Sequence, residues 1–299
     1  MCICPKIYNF APSKDNKMNL FKEKEKLNDF FSNQNQNATR IGLVPTMGAL
    51  HEGHISLIHR AVSENDMVVV SIFVNPTQFN NKEDLDKYPR TLQEDIDKIK
   101  AFNEHVIIYA PATEDVYATA VQAANFDFDG LEFQMEGKHR PGHFDGVGTI
   151  VKKLFEIVKP TNAYFGEKDF QQLQIIKKMV AKEQMPVNIV GCPILREANG
   201  LAMSSRNERL QPETRKNASF IFETLLLAKD MFGTKNVRDV EHWVTEAFEK
   251  NENFELEYIE ICDEETLKPV TENLNTKNYR AFIAVYADEV RLIDNIALN

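Results

Sequence analysis

"RIGLVPTMGALHEGHISLIHRAVSENDMVVVSIFVN", residues 40–75, holds two short β-branched runs with an amphipathic stretch between them. "RIGLVP" (40–45) and "MVVVSIFVN" (67–75) are strand-like, and "GHISLIHRAVSEN" (53–65) is helix-like, the pattern of a parallel sheet covered by helices. Outward from this unit the alternation continues. "TLQEDIDKIKAFN" (91–103) spaces Leu92, Ile96 and Ile99 by four and three, and "HVIIYAP" follows as a third strand. "GHFDGVGTIVKKLFEIVKP" reads as a helix, "NAYFGEK" as a strand, "DFQQLQIIKKMVAKEQ" as a helix and "PVNIVGCP" as a strand. Phe170, Leu173, Ile176, Met179 and Val180 are core at helical spacing, and Trp243 is core or interface.

Five strands in doubly wound order is the economical α/β fold. Beyond Leu195 come helices over 212–231 and 237–250, then the strands "FELEYIEIC" and "RAFIAVYA" without crossover helices, a smaller α+β domain. The expected division is 1–194 and 195–299. Residues 11–37 are polar and rich in Lys, Glu and Asn, with "NQNQN" a short loop or frayed end.

A chain of 299 residues, 43% hydrophobic, can bury a full core, and its net charge of -10 disfavours a polyanion as main partner. The four cysteines, at 2, 4, 192 and 262, form no C-x-x-C pair, which fits a reduced, cytosolic setting. "MCICPKIYNF" is broken by Pro5 and Lys6, and no run of about 18 apolar residues exists, so a soluble, untargeted protein is expected.

In "VPTMGALHEGH" (44–54) His51 and His54 stand three apart, whereas a zinc protease helix needs H-E-x-x-H. Hydrogen-bonded loop histidines are one reading. The other is phosphate: a strand, a tight turn at Gly48 and a helix opening at Gly53 aim backbone N–H groups and the helix dipole at one point. Imidazoles there would stabilise charge during displacement at phosphorus, and Gly53 would let a nucleotide approach. "HEGH" looks like the H-x-G-H signature of nucleotidyltransferases and class I tRNA synthetases.

Other stretches have physical readings of their own. Lys168 and Asp169 in "FGEKDFQQL" (165–173) follow a strand and open a helix, at the sheet edge where such folds bind ligands; alternatively they form an exposed pair with Asp169 capping the helix. Gln78 and Gln172 offer donors and acceptors without charge, suited to a small hydroxy acid. "MSSRN" (203–207) is a candidate phosphate clamp through Ser204, Ser205 and Arg206, or a capping loop with a solvated arginine. Arg140 in "HRPGHF" is a candidate for closing over a carboxylate or phosphates, with His143 a cap or support.

Together with "FVNPTQF" (73–79), "YPRT" (88–91), "EGKHRPGHFDGVGTIVKKLF" (136–155) and "REANGLAMSSRN" (196–207), these stretches resemble the pantothenate synthetase family in order and spacing from residue 40 onward. The resemblance implies a Rossmann-like enzyme that uses ATP and Mg2+ to join pantoate to β-alanine through pantoyl adenylate, releasing AMP and pyrophosphate. It implies His51, His54, Lys168 and Arg206 as catalytic, and ATP contacts also from Pro45, Met47, Gly48, Gly53, Gly166, Asp169, Leu195, Met203, Ser204 and Ser205. It implies Gln78, Gln172, Asn75, Tyr88 and Arg140 around pantoate and β-alanine. Glu94 and Asp95 are magnesium candidates, though an exposed helical face is their other reading. A homodimer is implied too, and "MVVVSIFVN" could extend toward its interface. A lid is expected at 76–91 or 117–131. Two departures from the family pattern are Asn199, where an acidic residue is usual, and His139, where a small one is. Rivals are a nucleotidyltransferase acting on another acceptor, a tRNA-charging relative and a non-catalytic nucleotide-binding module.

Overall fold

The computed structural model describes residues 19–34, 39–79, 82–117, 120–272 and 277–299. Residues 1–18, and with them the N-terminal cysteines, lie outside the described residues, as do 80–81 and 118–119 of the two stretches expected to act as a lid.

The elements run β1 (Leu20–Phe21), α1 (Lys24–Asn33), β2 (Ile41–Thr46), α2 (Glu52–Glu64), β3 (Met67–Ile72), α3 (Lys82–Lys87), α4 (Leu92–Phe102), β4 (Ile107–Tyr109), α5 (Thr113–Tyr117), α6 (Met135–His139), α7 (His143–Val158), β5 (Asn162–Gly166), α8 (Phe170–Lys182) and β6 (Asn188–Cys192). These strands form one parallel sheet in the order β1-β4-β3-β2-β5-β6. Alternation along each strand sends Leu43, Val69, Ile107, Ala163 and Phe165 to a core with α7 and α8, and Val44, Val68, Val70, Ile108 and Tyr164 to a second core under α2 and α4. Each fully buried Leu, Ile or Val contributes about 1.5–3 kcal/mol, so this two-sided burial dominates the energetics.

Two expectations need correction. The sheet has six strands, because Leu20 and Phe21 pair with Ile108 and Tyr109 inside the polar N-terminal stretch. "MVVVSI" is not available to an interface, since β3 lies between β2 and β4 with Val68, Val69 and Val70 at most 5% exposed.

The sheet order reverses between β2 and β5, the switch point at which ligands bind in doubly wound folds. Only Gly42 and Leu43 of β2 register with β5, opposite Asn162 and Ala163, so the two strands part toward their carboxyl ends. Pro45, which has no N–H to give, falls beyond the last of these pairs.

The chain continues through α9 (Pro212–Asn217), α10 (Ser219–Phe232), α11 (Val237–Glu249), β7 (Phe254–Asp263), β8 (Tyr279–Ala287) and β9 (Val290–Ala297). The expected long helix at 212–231 is two helices, and the expected strand pair is a three-stranded antiparallel sheet, β7-β8-β9. Trp243 packs half-buried against the core of this region, which includes Leu225, Val244, Ile283 and Val285. Phe282 reaches the first core, with its ring 5.9 Å from that of Phe170.

Candidate active site

A cleft of about 250 Å³ opens where β2 and β5 part. Of the residues expected to act, His51, His54, Lys168, Asp169, Gln78, Gln172 and Arg206 all line it. So do Pro45, Met47, Gly53, Asn75, Tyr88, Gly166, Leu195, Met203, Ser204 and Ser205. Gly48, Arg140, Glu94 and Asp95 do not.

The corner after β2 is built by the histidines themselves. His51 is the N-cap of α2, and its Nδ1 accepts the N–H of Gly53 at 3.1 Å, while Nδ1 of His54 accepts the N–H of His51 at 3.2 Å. The N–H of His54 donates to the His51 carbonyl at 2.8 Å. The expected phosphate cradle of backbone donors is therefore corrected, because the rings and this turn already hold those N–H groups. What the corner offers instead is the other nitrogen of each ring. With Nδ1 accepting, the hydrogen of a neutral imidazole resides on Nε2.

Both rings are neutral at pH 7. Burial, followed by the charges of Lys168 and Lys98, lowers His51 to about 4. Burial, followed by His51 and then the two lysines, lowers His54 to about 3. These histidines are thus a pair of oriented N–H donors, with the cations carried by Lys168 and Arg206. Gly53 lines the cleft, and a Cβ there would also lie 2.8 Å from the His51 ring.

The preceding turn is held from α4. Gly48 (φ +86°) and Ala49 (φ +50°) are left-handed, and Asp95 accepts from Ala49 N–H at 3.0 Å and Leu50 N–H at 2.7 Å. Lys98 donates to the Leu50 carbonyl at 2.6 Å. Asp95 is 1% exposed with its carboxylate committed to these backbone donors and to Thr91, and Glu94 is exposed away from the cleft. The magnesium expectation for this pair is corrected accordingly. Gly48 serves the turn, where a Cβ would meet Asp95 at 3.0 Å.

Across the switch point, Lys168 and Asp169 sit on a 3-10 turn, Glu167–Asp169, between β5 and α8. Asp169 stands at the N-cap of α8 without a side-chain cap bond, so the helix-capping reading does not hold. The Ser204–Arg206 loop behaves differently from a bare clamp. Ser204 Oγ accepts from Arg206 N–H at 3.2 Å, and Ser205 donates its hydroxyl to the Ala49 carbonyl at 3.1 Å. Ser205 thereby pins the loop to the corner and is corrected as a phosphate donor. Asn199 precedes Gly200 (φ +95°), accepts from Leu201 N–H and donates to the Arg215 carbonyl at 2.8 Å, a bond a carboxylate could not make.

The opposite wall is neutral. Gln78 Nε2 meets Met47 Sδ at 2.7 Å, and Gln78 Oε1 accepts from Asn75 at 3.2 Å. Asn75 is 1% exposed and fully engaged, donating also to the Gly146 carbonyl and accepting from Thr77 and Tyr117; it shapes this loop rather than presenting free groups. Gly146 permits the close approach, since a Cβ would lie 2.3 Å from the Thr77 carbonyl. His143 Nδ1 and the Arg140 guanidinium both reach the Gln78 carbonyl, at 2.8 and 3.4 Å. Burial, then Arg140, lowers His143 to about 4, so its neutral Nδ1–H is the donor. Arg140 supports this loop from outside the cleft, a correction to its expected place against substrate. His139 stacks on Tyr258 with ring centroids 6.0 Å apart.

Val147, Ile150, Val151 and Leu154 of α7 also line the cleft and were not expected there. Apolar residues at helical spacing look alike whether they face a packed core or a cavity.

Paired, capped imidazoles at the switch point of a doubly wound sheet define the H-x-G-H class of nucleotide-using enzymes. A profile of the Pantoate-beta-alanine ligase family matches residues 19–297. The pantothenate synthetase of Flavobacterium psychrophilum is 62% identical over 88% of this chain and 93% of its own length, and that of Christiangramia forsetii is 54% identical over 94% and 100%. The crystal structure of pantothenate synthetase from Thermus thermophilus superposes with a TM-score of 0.85 at 38% identity, covering 94% of this chain and 99% of that one. A ligase from Francisella tularensis, complexed with "Beta-gamma ATP and Beta-alanine", gives 0.76 at 37% identity over 94% and 98%. The chain belongs to the pantoate–β-alanine ligase family.

Proposed function

We infer that this protein condenses pantoate with β-alanine at the expense of ATP, in two steps within the one cleft. The pantoate carboxylate attacks the α-phosphorus of ATP and pyrophosphate leaves. The neutral amine of β-alanine then attacks the acyl carbon of pantoyl adenylate, and pantothenate and AMP separate. The observation that carries this reading is the asymmetry of the cleft. Lys168 stands by the two imidazoles, with the Arg206 loop pinned to the same corner, whereas the Gln78 loop packs against α7, whose apolar stretch lines the cleft; Gln172 lines it as well.

The Nε2–H groups of His51 and His54 meet phosphate oxygens as charge shifts toward the leaving group, and being fixed by their caps they need no reorganisation. Lys168 and Arg206 offset the triphosphate charge, and Asp169 accepts from a ribose hydroxyl. Gln78 and Gln172 bond the hydroxyls and carboxylate of pantoate, whose two methyl groups lie against Val147, Ile150, Val151 and Leu154. These apolar side chains keep water from the mixed anhydride.

Magnesium enters as the counter-ion of ATP, held chiefly by the phosphates, in keeping with the ion's reluctance to shed water. Among the described residues no three His, Cys, Asp or Glu side chains gather to hold a metal. A homodimer and a cytoplasmic setting belong to the same reading; no helix among the described residues is long and apolar enough to cross a membrane.

The test is exchange of labelled pyrophosphate into ATP, expected to require pantoate but not β-alanine, with AMP appearing once β-alanine is added. Exchange without pantoate, or AMP-free nucleotide transfer to another acceptor, would assign the cleft to a different nucleotidyltransferase. Absence of exchange from folded protein would favour a binding module.

A further inference from the structure

The third C-terminal strand, β9, has no residue in the cleft, yet it grips the two elements that carry the cations. Asn295, 1% exposed, donates both hydrogens of its side-chain amide to consecutive carbonyls of the 3-10 turn, Glu167 O and Lys168 O, each at 2.9 Å. Its Oδ1 accepts from Arg280 at 2.6 Å, which fixes the amide so that the nitrogen faces the turn. Arg280 is itself held over the Phe170 ring at 4.0 Å and by Glu264 at 2.7 Å. The neighbouring Asp294 takes Arg196 in two bonds of 2.6 and 3.0 Å. Arg196 opens the short hairpin, bridged to Ala202, that leads into Ser204–Arg206. Two adjacent residues of one strand thus hold the roots of both cation-bearing segments.

We propose that Asn295 is a positioning residue for the adenylation step, setting the Lys168 turn at a fixed distance from the Arg206 loop that Asp294 anchors through Arg196. The inference rests on the functional reading above. A carbonyl pair in a turn of three residues has little helical structure to lock it, and a single buried amide bridging both removes the rocking motion that would carry the Lys168 side chain off the phosphates. A misplacement of about 1 Å can slow a reaction by roughly 100-fold.

The experiment is a double-mutant cycle read by pantoate-dependent pyrophosphate exchange, using Asn295→Ala, Lys168→Ala and the pair. Asn295→Ala is expected to lower the exchange kcat by about 10- to 100-fold with little change in the pantoate KM, and to cost less than about 3-fold more once Lys168 is alanine. β-Alanine attack on supplied pantoyl adenylate should stay near the wild-type rate. Asn295→Asp conserves volume and the Arg280 bond but removes both donated hydrogens, and it replaces the alanine variant should that fail to fold. Fully additive losses, or an unchanged exchange kcat in a folded Asn295 variant, would overturn the proposal. Wild-type protein that performs no pantoate-dependent exchange would instead overturn the functional reading beneath it.

Discussion

The two walls of the cleft present different chemistry. The wall after β2 is polar and cross-braced: His51 and His54 cap one another's turn, Asp95 and Lys98 of α4 hold Ala49 and Leu50, and Ser205 closes on Ala49. The wall carrying Gln78 is held from Asn75, Gly146 and His143, and its lining along α7 is apolar. A triphosphate needs donors that are already aimed, because stabilising charge at the moment of transfer leaves no time to orient them. A small hydroxy acid needs shape and a few uncharged partners. The contrast teaches that one cleft can sort two anions by placing oriented donors and cations on one side and neutral polarity on the other.

The largest blow to that contrast should come from the imidazoles. Replacing His51 or His54 with alanine is expected to slow pantoate-dependent pyrophosphate exchange by about 100-fold or more with the fold retained, as read by exchange kinetics beside circular dichroism. Near wild-type rates would remove the oriented-donor role. The same rings predict a pH effect on stability. His51 at about 4, His54 at about 3 and His143 at about 4 all lie below the ordinary 6.5, so the unfolded chain takes up protons first as pH falls. Their contribution is complete above pH 6.5 and is lost as pH descends toward 4 and 3; denaturant titrations across this window should show the decline, and a flat profile would contradict neutral, buried rings.

Asp95 tests how the polar wall is held. Asp95→Ala leaves two backbone N–H groups of the left-handed turn without their acceptor and should cost about 1–3 kcal/mol of stability, while the magnesium concentration for half-maximal exchange stays put. A shifted magnesium requirement would return the residue to metal binding. On the neutral wall, Gln78→Ala should raise the pantoate KM about tenfold, or about 1.4 kcal/mol, without altering the ATP KM; equal changes in both would erase the division of labour between the walls. Glu94→Ala should change stability by less than about 0.5 kcal/mol and leave magnesium dependence alone, as measured by thermal unfolding and exchange.

Much of this was legible in the chain because periodicity reports burial. Residues 41–45 and 67–70 are apolar throughout since both faces of the sheet are covered, and "HEGH" follows the first of these strands at the place where the sheet order reverses. Three features escaped. Leu20 and Phe21 are too short a strand to show a pattern amid lysines and asparagines. In β9 the inward positions Val290 and Leu292 are followed by Asp294, whose burial depends on Arg196 from far along the chain, so the alternation looks broken. The charge state of the histidines was hidden as well. Spacing displays two imidazoles near a helix start, whereas their neutrality comes from burial and from Lys168 and Lys98, which only folding brings close. Asp95 misled for the converse reason: its place beside Glu94 suggested a metal, and its backbone partners lie 45 and 46 residues away.

The glycine between the histidines leaves a last consequence. Since a methyl group on residue 53 would lie 2.8 Å from the His51 ring, the glycine and that ring fit together as one part at the start of the helix. A homologue with alanine at that place would have to swing the first ring outward, surrendering its grip on the helix start and with it the choice of which nitrogen bears the hydrogen. The spacer, rather than either ring, is therefore the letter by which a working copy of this corner can be told from an accidental pair of histidines.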